Sequence, residues 1–309
     1  MCNFMYSKNV VLSSNSIRMR KINMLQDLQK DALISIASLL SASSIKKFID
    51  GDFSAFRYRI SKHFDIQEGS TYKDIVESLY EYLLRNYRNE YFYKNKLLHS
   101  QLSKYKTSHT VVFDEFTIGS SIADFVLLNG EVKIFEVKTE LDTLDKLEKQ
   151  INDYRKFANK VYIVSSKKLL AKIIEEYKDT NIGIIEFTNR NTLKTVQEAI
   201  VDMTRFDHDT IFKTLRKDEY LNLIENYFNT KVDVPNTKQF RYCLDLAKNI
   251  EVTKFQKLAF ERLKERKKNV SYQNYLKTAP EALRYSCYNI GLDSKELQKL
   301  NQYLNTKVS

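Results

Sequence analysis

Apolar and polar positions along the chain fall into three regimes. From Ile22 to about Phe48 the residues Leu25, Leu28, Leu33, Ile36, Leu39 and Leu40 recur at helical spacing, and Asp50-Gly51-Asp52 ends the run. A short helix with Phe53, Phe56, Tyr58 and Ile60 is expected next, then a break at Gly69-Ser70-Thr71 with Ser70 or Thr71 as N-cap. Ile75, Leu79, Tyr82, Leu83, Tyr87, Tyr91 and Leu98 predict one long helix between Tyr72 and Leu102. The period then shortens. His109 to Ile118 reads as a strand, Gly119-Ser120-Ser121 as a turn, and the runs Phe125 to Leu128 and Val132 to Val137 flank Asn129-Gly130 as a β-hairpin. Thr139 to Phe157 carries an apolar helical stripe, Lys160 to Ser165 reads as a strand, Lys167 to Lys178 as a helix and Asn181 to Phe187 as a strand. Beyond Asn191 the pattern is helical, with Phe212, Leu215, Tyr220, Leu223, Tyr227 and Phe228 as core. Strands alternating with helices imply a mixed sheet covered by helices, an α/β class, with helical segments on both sides. The expected division is a helical N-terminal segment at 1–71, an α/β core at 72–190 and a basic all-helical domain at 191–309.

The hairpin carries the candidate chemistry. Glu136 and Lys138 share a face in any register, because side chains alternate with period two. A two-residue turn at Asn129-Gly130 would place Asp124 and Glu136 on opposite faces. A three-residue loop of Leu128, Asn129 and Gly130, closed by glycine in the left-handed region, sets Asp124 opposite Ile134 and diagonal to Glu136, about 7 Å apart. The bulged loop is the expected one. Two carboxylates and an ammonium so close together suit a hard divalent cation, with Asp124, Glu136 and the Val137 carbonyl as oxygen ligands for Mg²⁺ (or Mn²⁺). Lys138 could then orient or deprotonate an attacking water. An exposed cross-strand pair of Glu136 with Lys138 explains the same letters without a metal.

Ala123-Asp124, eleven further residues, Glu136-Val137-Lys138 and a following amphipathic helix resemble the PD-(D/E)XK nuclease superfamily, the restriction-endonuclease-like fold, with Ala123-Asp124 where that pattern has Pro-Asp. Ser121 to Asp124, Phe135 to Asp142 and Leu147 to Gln150 resemble an uncharacterised bacterial family within it. The resemblance spans roughly Glu77 to Phe187 and implies an αβββαβ core and metal-dependent cleavage of phosphodiester bonds, in DNA above all, in phage defence or mobile-element processing. It also implies a catalytic role for Glu90, in Asn89-Glu90-Tyr91, against which stands a plain i,i+4 pair with Lys94. Gln150 could bind a phosphate or the attacking water, and Tyr154, four residues on, could line a nucleic-acid groove. A surface glutamine and a buried tyrosine are the plain alternatives.

Charge sharpens this picture. The 309 residues carry a formal net charge of +11. Lys and Arg number 11 against 7 Asp and Glu in residues 1–75, 19 against 19 in 76–204, and 20 against 13 in 205–309. Basic flanks around a neutral, carboxylate-bearing centre suit a polyanionic partner, although lysine-solvated helices give the same totals. Within Glu261 to Lys268 (ERLKERKK), Arg262, Lys264, Arg266, Lys267 and Lys268, together with Tyr272, Tyr275, Tyr285, Tyr288 and Tyr303, are candidate phosphate and base contacts. Cys2, Cys243 and Cys287 and the four histidines lack metal-ligand spacing, so free thiols and no zinc site are expected. No apolar run is long enough for a membrane span, which places the expected protein in the cytoplasm, and a homodimer is left open. Two other functions remain: a nucleic-acid-binding module of the same fold that does not cut, and a protein-interaction module whose charge serves solubility.

Overall fold

The computed structural model describes residues 22–24, 28–104, 110–266 and 278–308. His109, Lys267, Lys268, Tyr272, Tyr275 and Cys2 lie outside the described residues, and so do the roles expected of them. The chain opens with β1 (Ile22–Met24), followed by α1 (Lys30–Ala37), α2 (Ala42–Ile49), α3 (Ser54–His63) and β2 (Phe64–Ile66), which pairs antiparallel with β1. The single helix expected from Ile22 to Phe48 is thus a strand and two helices. A 3-10 turn at Ser38–Leu40 and Ser41, whose Oγ accepts from the Ser44 N–H, interrupt it, because serine offers the backbone local alternatives to helix. Thr71 caps α4 (Tyr72–Asn86) in a reciprocal capping box with Asp74, as the pattern predicted.

The expected long helix 72–102 is also two. Tyr87, at φ −150°, leaves the helical region, and α5 (Glu90–Leu102) starts anew after Asn89. Glu90 is therefore the first residue of a helix, where the N-terminal dipole favours a carboxylate, and not a mid-helix residue.

Next come β3 (Val111–Ile118), β4 (Ser121–Asn129), β5 (Glu131–Lys138), α6 (Leu147–Tyr154), β6 (Lys160–Ser166), α7 (Lys167–Tyr177), β7 (Gly183–Phe187) and β8 (Leu193–Gln197). α6 is shorter than the helix expected over 139–157. The Thr139 N–H and hydroxyl both donate to Asp142 Oδ2, at 2.8 and 2.7 Å, and this turn replaces the first helical turns. β8 was expected to be helical. It is instead a short polar edge strand, reached through a turn in which Asn191 takes φ 59°.

The six strands lie in the order β3-β4-β5-β6-β7-β8, with β5-β6 and β6-β7 parallel and the rest antiparallel. This is a mixed sheet with helices on both faces. Both faces are apolar because both are covered, which is why Phe125 to Leu128 and Ile134 to Phe135 are buried without a polar alternation. On one face Phe125, Leu127, Phe135, Val137, Tyr162 and Val164 share a core with α1–α5. On the other, Val126, Leu128, Val132, Ile134 and Ile163 pack with α6, α7 and four further helices, α8 (His208–Lys213), α9 (Lys217–Phe228), α10 (Asn236–Ala247) and α11 (Val252–Lys264).

The basic C-terminal stretch is divided between the faces. α12 (Arg284–Ile290) and α13 (Ser294–Leu304) return to the N-terminal side, where Tyr285, Leu297 and Leu300 join the core of α2 and α4. The backbone of Thr71 bridges to Lys307 beside them. Among the described residues no single helix is long and apolar enough to cross a membrane.

Candidate functional site at the β4–β5 strand end

The hairpin register decides what meets what. Gly130 takes φ 68°, as expected of a loop-closing glycine. The loop, however, lies one residue later than expected: Leu128 pairs with Val132 and Asn129 faces Glu131 across Gly130. The parity is that of the bulged turn, and the paired ladder ends at Phe125↔Phe135, one step short of Asp124 and Glu136. The two carboxyls nevertheless meet: Asp124 Oδ2 accepts from the N–H of Val137, next to Glu136, and Glu136 is near enough to raise Asp124. The Asn129 amide, donating to Thr110 Oγ1 at 2.6 Å, ties this end of β4 to the start of β3.

Around this pair the backbone is distorted. In β3 the ladder skips the pair Glu115–Asp124, and Glu115 sits at φ 50°. Side-chain alternation slips there. Asp114 points toward α5 and α12, accepting from Lys94 Nζ (2.7 Å), the Tyr285 hydroxyl (2.5 Å) and Asn289 Nδ2 (2.8 Å), whereas Phe116 lies in the opposite core. A non-glycine residue in the left-handed region costs on the order of 1–3 kcal/mol, strain that concentrates at functional sites.

Glu136 is almost wholly buried, and neither of its oxygens is free: Oε1 accepts from Lys138 Nζ at 2.7 Å, and the Tyr154 hydroxyl lies 2.7 Å from Oε2. Lys138 Nζ also donates to Gln150 Oε1 at 3.0 Å. The same Tyr154 hydroxyl is 2.8 Å from the Ile122 carbonyl. One hydroxyl proton cannot serve two acceptors, so the arrangement favours a proton on Glu136 whenever Tyr154 donates to Ile122. Burial pushes the Glu136 carboxyl above its usual range, against the pull of Lys138 and Tyr154. Asp124, whose Oδ2 accepts from the Val137 N–H at 2.7 Å, is raised well above its usual range by burial first, then by Glu136 and Glu90.

Of the expected catalytic set, Asp124, Glu136, Lys138 and Gln150 are thus brought together, with Glu90 close enough to act on both carboxyls. Glu90 also forms the plain i,i+4 ion pair with Lys94. Tyr154 does not line an open groove: it is fully buried, and its hydroxyl serves Glu136.

Two members were not expected at the site: Lys94, named from the sequence only as an i,i+4 partner of Glu90, and Asp153. Lys94 is a buried lysine between Glu90 and Asp114. Burial opposes its charge, yet Glu90, Asp114 and Asp124 hold its pKa above the usual lysine range. Its position on the same helical stripe as Leu97 and Leu98 was the available signal. Asp153 fixes the turn that feeds β4, its Oδ2 accepting from the Ser120 N–H and hydroxyl and from the Ser121 hydroxyl at 3.2, 2.9 and 2.8 Å. A Cβ at Gly119 (φ 62°) would stand 2.9 Å from Asp153 Oδ1, so the turn needs glycine there.

The basic stretch at the end of α11 behaves otherwise than expected. Arg266 is withdrawn from solvent, its Nε and one terminal nitrogen on Glu219 (2.6 and 2.5 Å) and that nitrogen also on the Thr214 carbonyl (2.7 Å). It clamps α11 to the start of α9 and is not free to meet phosphate. Arg262 pairs with Glu265 and Lys264 with Glu261, each at i,i+3, so ERLKERKK partly neutralises itself. Tyr285 and Tyr288 are core residues and cannot stack bases.

Among the described residues no three His, Cys, Asp or Glu side chains gather into a metal-holding group. The donor set is two carboxylates, and Mg²⁺, which typically keeps several waters, needs no more from side chains. Two raised, mutually repelling acids are also what a cation would relieve. The donor chemistry fits such an ion, which would have to share Glu136 Oε1 with Lys138.

By class, the chain is a mixed-sheet α/β protein with an acidic, lysine-bearing site at the end of an antiparallel strand pair. Comparison with known families narrows this. The family model described as bacteriophage P4 protein cII matches residues 84–304, and the chain belongs to that family. It is 25% identical over 183 residues to "Protein cII" of Enterobacteria phage P4, a match covering 57% of this chain and 64% of that protein. The chain therefore spans just under two thirds of its curated relative. No solved structure matches.

Proposed function

We propose that this protein is a Mg²⁺-dependent (or Mn²⁺-dependent) nuclease of the PD-(D/E)XK kind, hydrolysing phosphodiester bonds in nucleic acid, with DNA as the expected polymer. The observation that carries the reading is the convergence of Asp124, Glu136, Lys138 and Gln150 at one strand end, with Glu90 beside them. The element order supports it: α5-β3-β4-β5-α6-β6, with β3 to β5 antiparallel and β6 parallel to β5, is the αβββαβ order of that superfamily. A phage relative suits a role in phage or mobile-element DNA processing.

In this mechanism Asp124 and Glu136 would hold the cation, with the Val137 carbonyl as a further oxygen donor. The chemistry such an ion would supply is Lewis-acid polarisation of the phosphate and easier deprotonation of the attacking water. Lys138, held by Gln150, orients the water that attacks phosphorus as the P–O bond to the leaving oxygen breaks. Tyr154 fixes Glu136, Asp153 fixes the turn before Asp124, and Lys94 steadies Glu90 and Asp114.

One observation favours a second reading, a module that binds nucleic acid without cutting: Glu136 is already satisfied by Lys138 and Tyr154. Purified protein incubated with supercoiled plasmid, linear duplex, single-stranded DNA and RNA, with Mg²⁺, Mn²⁺ or chelator, separates the two. The nuclease reading expects cleavage that chelator abolishes and that Glu136→Gln lowers at least about a hundredfold. Salt-sensitive binding without cleavage of any substrate would establish the second reading instead.

A further inference from the structure

Beside the strand-end site lies a cavity of about 460 Å³, lined by the end of α4, the 87–89 link, the loop after β5 and the β7–β8 turn. Its volume falls within the range of small-ligand pockets. Arg88 is part of the lining. That guanidinium meets Glu140, donates to the Thr188 carbonyl at 3.0 Å and lies over the Phe187 ring at 4.9 Å, joining three walls in one rigid unit.

The remaining lining mixes apolar Leu84 and Leu141 with Tyr87, with Asn189, with Asn86 and Asn191, whose amides also bond the Tyr82 carbonyl and Arg88, and with Arg85, whose side chain is 63% exposed and paired with Glu81 at 3.6 Å. Lys168 donates to the backbone carbonyl of Glu140, one of the lining residues, at 3.2 Å. Carboxamides pair with base edges, planar rings accept stacked bases, and exposed guanidinium takes phosphate. Leu84 and Leu141 give a base an apolar face to lie on.

The pocket is tied by chain to the candidate site. Arg88 precedes Glu90 by two residues and Glu140 follows Lys138 by two, a span of at most about 7 Å of extended backbone on each side. We propose that this pocket binds one unstacked nucleotide of a single-stranded nucleic acid, adjacent to the phosphate at the Asp124–Glu136 site. Its place in a cleavage reaction rests on the nuclease reading, whereas nucleotide binding itself does not. A base seated there is out of a duplex stack, so single strands, frayed ends and unpaired flaps are the substrates it selects.

The chain has no tryptophan, so Leu141→Trp, at a half-exposed position in the pocket wall, creates a single fluorescent reporter. This full-length variant is titrated in chelator with deoxyadenosine 5′-monophosphate, inorganic phosphate and deoxyadenosine. We expect saturable quenching by the nucleotide, at an affinity at least tenfold above that for either fragment. Adding Arg85→Ala with Asn189→Ala should weaken binding at least tenfold. Calorimetry of the unmodified chain with the same three compounds covers the case of an indole that closes the pocket. Nucleotide bound no better than phosphate, or unaffected by the double substitution, overturns the proposal. Because chelator is present, the titration reads binding apart from cleavage: nucleotide binding there, combined with no cleavage of any substrate in Mg²⁺ or Mn²⁺, would refute the nuclease reading and leave the pocket standing.

Discussion

Replacing Lys138 by Met keeps the aliphatic stem and removes the cation bonded to the buried Glu136 carboxylate. In the native site Glu136 is 1% exposed and the Lys138 side chain 10% exposed, so water cannot take over the lost contact. Removing one member of a buried ion pair typically costs about 3–5 kcal/mol, because an uncompensated charge stays behind. Glu136 keeps the Tyr154 hydroxyl, which argues for the lower end, about 3 kcal/mol. At roughly 2 °C per kcal/mol for a chain of this size, the midpoint of thermal unfolding should fall by about 6 °C.

The sign of the pH dependence follows from the same geometry. Burial already raises Glu136, and Lys138 opposes that rise. Without the lysine the carboxyl rises further, so the folded variant binds a proton that its unfolded chain has released. Stability then falls as pH increases from the ordinary carboxylate range, about 4.3, through the raised folded value. The deficit of Lys138→Met against wild type should be larger at pH 8 than at pH 5. Urea unfolding at both pH values measures it, and Glu136→Gln in the Lys138→Met background should recover most of the loss. Equal stability of Lys138→Met and wild type at pH 8, or a deficit that grows on acidification, would refute the reasoning.

Further outcomes are expected elsewhere in the molecule. Asp124→Asn should raise the unfolding midpoint by a few degrees at pH 7 in chelator. The aspartate is held above its usual range by burial, Glu136 and Glu90, so its charge destabilises the fold at any pH above the ordinary carboxylate value; a lowered midpoint would count against that. Arg266→Ala should cost about 3 kcal/mol by urea unfolding, by stripping Glu219 and the Thr214 carbonyl of a half-buried donor, while the salt dependence of DNA binding should stay unchanged. Gly119→Ala should be worse than Gly130→Ala. Both put a side chain at positive φ, about 1–2 kcal/mol each, but only the first presses on Asp153, so equal losses would deny Asp153 its role in the turn.

What the sequence showed and what it hid divide along a physical line. Asn129-Gly130 specifies a hairpin locally, and parity follows from period two, so the shared face of Asp124 and Glu136 was legible. Which residues enter the loop was not, since the Asn129–Thr110 contact joins residues 19 apart. The break at Tyr87 to Asn89 hid inside an unbroken apolar rhythm, and the turn at Thr139 to Asp142 inside another. Local pattern cannot show partners distant in the chain. Arg266 reads as a free cation until Glu219 is placed beside it, and Tyr285 reads as a surface aromatic until its hydroxyl is found on Asp114. Lys94 was missed as a member of the site for the same reason, because its second partner lies on another element.

The central claim is that Asp124 and Glu136 act as one cation site. Calorimetric titration of Mn²⁺ into the chelator-stripped protein at pH 7.5, in two buffers of different ionisation enthalpy, addresses it most directly. The account expects one cation bound, with proton release because both carboxyls are raised in the free protein, and binding lost in both Asp124→Asn and Glu136→Gln. Binding that survives both substitutions, or no binding by the wild-type chain, would contradict it.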